Sequence, residues 1–139
     1  MKTWRRLLVL LLVLSVCLFF LRYLSKTKAE KRRALTYRAA LERYSQALRP
    51  GMTREEVEDY LKANNASFYH MCCVKAKRSS DGAYDDLTRI GQEDAPWFCS
   101  QNNIYIAFLF AGPKRVATTA DPSDKLTSIE LYPYLEGCL

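Results

Sequence analysis

Asn103-Ile104-Tyr105-Ile106-Ala107-Phe108-Leu109-Phe110-Ala111 is the stretch from which the fold is read. Side chains alternate across a strand, so Ile104, Ile106, Phe108 and Phe110 face one way and Tyr105, Ala107 and Leu109 the other. Both sets are apolar. A strand that is apolar on two faces lies inside a sheet with cover on each side, and 103–111 is therefore expected to be the central strand. Two flanking segments share its period. Ser67–Lys77 (SFYHMCCVKAK) is rich in aromatic and cysteine residues, and Ser79-Ser80-Asp81-Gly82 after it reads as a turn. Leu126–Tyr132 places Ile129 and Leu131 inward and Ser128 and Glu130 outward. The stretch 83–102 is expected to be irregular, with one helical turn near Tyr84–Leu87, and the acids Asp81, Asp85, Asp86, Glu93 and Asp94 read as a solvated loop lacking calcium-loop spacing.

Ahead of these strands the period is helical. Ala34, Tyr37, Leu41, Tyr44 and Leu48 form one apolar stripe, and Pro50-Gly51 ends it. Thr53 with Glu56 three residues later is a capping box, with Met52 and Val57 as a staple. Val57, Tyr60 and Leu61 form the buried face of the helix that follows, which stops at Asn64-Asn65. The expected fold is α+β: two helices on a three-stranded antiparallel sheet, in one small domain over residues 28–139.

Residues 1–27 read differently. Leu7–Leu21 carries no charge, and the window Trp4–Leu24 holds 21 residues, about 31 Å of helix at ~1.5 Å per residue. Trp4, Tyr23, Arg5, Arg6 and Arg22 stand where interfacial residues belong. A cleaved signal would need a small-x-small site after the apolar run, and Val16 is too large for a lipobox before Cys17. The expectation is an uncleaved signal-anchor: an N-terminal transmembrane helix making a single-pass membrane protein with the lipid bilayer as partner.

Charge excludes one class of partner for the domain. Residues 1–49 hold 12 Lys/Arg against 2 acids, and residues 50–139 hold 9 against 13, so the formal charge of +6 belongs to the N-terminal part. A mildly acidic domain repels phosphate backbones, and nucleic-acid binding is not expected of it. Orientation pulls two ways. Three Lys/Arg precede the apolar run and seven follow within seventeen residues, which keeps the domain in the cytoplasm. Cys72, Cys73, Cys99 and Cys138 are an even set in a small domain, which favours disulfides in an oxidising compartment. The expectation follows the cysteines and places the domain outside the cytoplasm.

Neighbouring strand residues point to opposite faces, so Cys72 and Cys73 are each expected to bond a different partner, one Cys99 and the other Cys138. The same alternation, with no C-x-x-C, disfavours a zinc site from these four. His70 is the one histidine and shares a strand face with Cys72, which permits a Cys–His dyad, but a half-buried strand histidine is the commoner meaning. Trp97 and Phe98, in an irregular segment, are either a plug over the sheet or an exposed contact patch. No cofactor loop and no catalytic constellation is found. The chain reads as a non-enzymatic interaction or structural module with an unidentified protein partner; the alternative is a thiol enzyme or redox sensor using Cys72 or Cys73 with His70.

Pro50-Gly51-Met52-Thr53-Arg54-Glu55-Glu56-Val57-Glu58-Asp59-Tyr60-Leu61, in outline G-M-T-x-x-x-V-x-x-x-L, resembles the second-helix motif of the SmpA/OmlA (BamE-type) domains. The resemblance implies a small extracytoplasmic module of two helices and a three-stranded antiparallel sheet. Asn64-Asn65-Ala66 stands where that motif has Gly-x-Pro.

Overall fold

A computed structural model describes residues 2–72, 74, 84–112 and 120–139, the side chains of 2, 3 and 5–10 excepted. The expected turn at 79–82, Cys73 and the end of the expected strand 67–77 lie outside the described residues. The elements run α1 (Lys2–Ala47), α2 (Arg54–Ala63), β1 (Tyr69–Cys72), β2 (Tyr84–Glu93), β3 (Gln101–Ala111) and β4 (Lys125–Glu136). The chain divides into two compact units, Met1–Thr36 and Tyr37–Leu139.

Two expectations are overturned. Among the described residues no helix is long and apolar enough to cross a membrane. This removes the signal-anchor expected at 1–27, the single-pass topology and the membrane localisation built on it. The 21-residue window includes Arg5, Arg6 and Arg22. The charge-free run between them, Leu7–Leu21, covers only about 22 Å of helix against a hydrocarbon core of about 30 Å.

Among the described residues the sheet, moreover, has four antiparallel strands in the order β1-β2-β3-β4, not three. The added strand is β2, from the segment expected to be irregular. Its Asp85, Asp86, Leu87 and Thr88 are all buried, and a register shift between Arg89 and Gly91 breaks its alternation. Two buried aspartates and a bulge hide the apolar period by which a strand is recognised.

β3 is central, between β2 and β4, with its two faces in two cores. On one face Ile106, Phe108 and Phe110 pack with Tyr44 and Leu48 of α1, Val57 and Leu61 of α2, and Leu126. Tyr44 meets Phe108 edge to face, with ring centroids 5.4 Å apart. On the other face Tyr105, Ala107 and Leu109 pack with Val74 and Leu87, flanked by Met71, Tyr132 and Tyr134. Leu126 and Ile129 share the first core despite their odd spacing, because the register shifts between Leu109 and Phe110 and leaves Thr127 opposite neither.

The turn between the helices is fastened to β4. Gly51 N donates to Leu126 O at 2.8 Å and Leu126 N to Met52 O at 2.8 Å, while Thr53 bridges Lys125. Gly51 has φ +95°, which only glycine adopts without strain. Thr53 then caps α2: its hydroxyl accepts from Glu56 N at 3.2 Å, and Thr53 N donates to the Glu56 carboxylate at 2.7 Å. The Thr53 amide and hydroxyl, both donating to this carboxylate, hold it below its ordinary range. A lowered native pKa stabilises above the unfolded value, and that contribution fades as pH falls through the native one. Loss of the N-cap in Thr53→Ala is expected to cost about 1 kcal/mol at neutral pH in urea unfolding. The difference from wild type should narrow as the solution is acidified.

Candidate functional site

α2 opens with a buried cation. Arg54, the residue after the cap, is 1% exposed. Its guanidinium lies 4.0 Å from the Phe110 ring centroid and spends its donors on two segments, β2 and the loop 121–124. Nε donates to Asp121 O at 3.1 Å, Nη1 to Asp86 Oδ1, and Nη2 to Tyr84 O and, at 3.4 Å, to Asp124 Oδ2. Asp86 and Asp124 are themselves buried. A Cβ on Gly112 would lie 2.2 Å from an Asp124 oxygen, so that position has room for hydrogen only. In the sequence Asp86 reads as part of a solvated acidic loop, and Arg54 carries no signal of its own. A buried ion pair 32 residues apart leaves no local signature.

Asp86 also meets His70, its cross-strand neighbour in the β1–β2 register. His70 Nδ1 lies 2.8 Å from Asp86 Oδ1, and Nε2 lies 3.9 Å from Glu58 Oε1, one turn into α2. Burial pushes the Asp86 carboxyl up, and Arg54 and His70 pull it back. Oδ2 of Asp86 is buried with no hydrogen-bond partner among the described residues.

The cysteines pair otherwise than expected. Cys99 bonds Cys138 across 39 residues. Gln101 pairs with Glu136 at the end of the β3–β4 ladder, so two residues further out on each strand the same register brings 99 to 138. β4 runs to Glu136 rather than Tyr132, and with its true end the pairing follows from the hairpin alone. Cys72 is disulfide-bonded as well, and Cys73 lies outside the described residues. Cys17 is free and exposed.

The Cys99–Cys138 bond braces the segment that carries the aromatic pair. Cys99 N donates to Pro96 O at 2.9 Å, Leu139 N to Phe98 O at 2.9 Å, and Ser100 N to Glu136 O at 3.0 Å. Trp97 stands 92% exposed at the head of this turn, with Phe98 against it at 5.8 Å, edge to face. Of the two meanings open in the sequence, a plug over the sheet and an exposed patch, the ring is in the second position.

Comparison of the chain with family models, with curated proteins and with solved structures finds no match.

Proposed function

We propose that this chain is a non-enzymatic protein-interaction module whose contact surface is centred on Trp97. The observation that carries this reading is a 92% exposed tryptophan presented by a disulfide-braced turn. A large rigid aromatic gives much contact area at little entropic cost, and tryptophan is the residue most enriched at the energetic centres of interfaces. Bracing before binding removes part of the ordering cost that a free loop carries. The order of two helices followed by a sheet agrees with the SmpA/OmlA resemblance, with one strand more. The thiol reading has less support: Cys72 is in a disulfide and His70 is bonded to Asp86.

A photo-reactive phenylalanine analogue at position 97, irradiated in cells that make the protein, is expected to give one discrete cross-linked partner. The same probe at Glu55, an exposed position on α2, should not give it. No adduct from position 97, or the same adducts from both positions, sinks the reading. Trp97→Ala itself should change stability by no more than about 0.5 kcal/mol, since the ring is in water.

A further inference from the structure

We propose that Glu58, His70 and Asp86 bind a divalent transition-metal ion, with zinc the ion their chemistry fits best. One donor atom from each residue lies within 4.8 Å of the other two. Three ligands at about 2.0–2.2 Å from a common centre close to such a spread with small side-chain movement. An imidazole with two carboxylates suits zinc, whereas calcium and magnesium take oxygen ligands.

The second observation is independent of the clustering. Asp86 is fully buried, and its Oδ2 has no hydrogen-bond partner among the described residues. Its Oδ1 already accepts from Arg54. Buried carboxylate oxygens seldom go unpaired, and this one belongs to the carboxylate whose Oδ1 lies 2.8 Å from His70 Nδ1. His70 is half-exposed, its side chain 42% accessible, which gives an ion a way in and leaves room for water to complete the coordination. Lys62 lies 3.4 Å from Glu58 Oε2, whereas Oε1 is the oxygen turned to His70. In the ion-free protein His70 and Asp86 share a hydrogen bond, and the ion takes the place of that proton. The three donors come from α2, β1 and β2, so a bound ion ties the four-residue β1 and its neighbour to the helix.

The test uses the full chain carrying Cys17→Ser, which removes the free thiol, stripped with chelator and titrated with zinc chloride. Calorimetry is expected to give one ion per chain and a raised melting temperature. Glu58→Gln and His70→Gln should each weaken binding at least roughly tenfold, while Lys62→Ala, beside the site but not a donor, should bind as wild type does. Because the chain has one histidine, its imidazole proton resonance reports on the site directly in the unmutated background and should move as zinc is added. No saturable binding, wild-type affinity in either glutamine variant, or a histidine resonance unmoved at saturating zinc overturns the proposal.

Discussion

Arg54→Ala is expected to destabilise the domain by about 3–5 kcal/mol, the usual result of removing one partner from a buried ion pair. The substitution takes the cation away from two buried carboxylates, Asp86 and Asp124, and withdraws donors from the Tyr84 and Asp121 carbonyls. It also strips the cationic cover from the Phe110 ring. Against a total stability of about 5–15 kcal/mol for a domain this size, that loss leaves a protein near its folding threshold. Urea unfolding should show the midpoint falling with little change in slope. Since much of the penalty comes from the carboxylates left behind, Arg54→Met combined with Asp86→Asn should recover part of it. A near-wild-type midpoint for Arg54→Ala would mean that water reaches and solvates the pair.

The second large effect concerns the Cys99–Cys138 bond. Replacing both cysteines by serine releases a 39-residue span from its closure. A bond closing a loop of that length is worth roughly 2–4 kcal/mol. At about 4–8 °C per kcal/mol for a domain of this size, the melting temperature should fall by about 10 °C or more. The same variant separates bracing from contact. With the photo-reactive probe at position 97 in this background, cross-linking should weaken because the turn beneath it is no longer held. Unchanged melting would show that the ladder ending at Gln101↔Glu136 holds the ends together unaided.

What was legible in the sequence was local. Thr53 and Glu56 are three residues apart, and the cap they form depends on nothing else in the chain. β3 declares itself because apolar side chains fill both faces without interruption. β2 did not, because its inward positions are Asp85 and Asp86, whose burial is made tolerable by partners far along the chain: Arg54 for Asp86, and the amides of Val74 and Phe110 for Asp85. Alone, those aspartates look like surface. The disulfide was missed for a geometric reason. Alternation at Cys72 and Cys73 is a local property, while the hairpin register that carries 99 to 138 depends on where β4 ends, and strand ends are the least local feature of a sheet. The metal-ligating trio was invisible for the reason Arg54 was: Glu58, His70 and Asp86 meet only after three elements are assembled.

β4 lies at the edge of the sheet and runs for 12 residues, long enough to recruit a strand from another molecule. Two features stand against that. At its start Gly51, Met52 and Thr53 already occupy the outer hydrogen-bonding groups around Leu126. Near its other end Pro133, paired with Ile104, offers no amide proton to a newcomer. Between them only residues 127–132 of this edge stay open to a newcomer, half the length of β4. Pairing along the whole of β4 is thereby blocked, and the exposed tryptophan at the far end of the same hairpin is presented beside an edge that is fastened at one end and lacks an amide proton near the other.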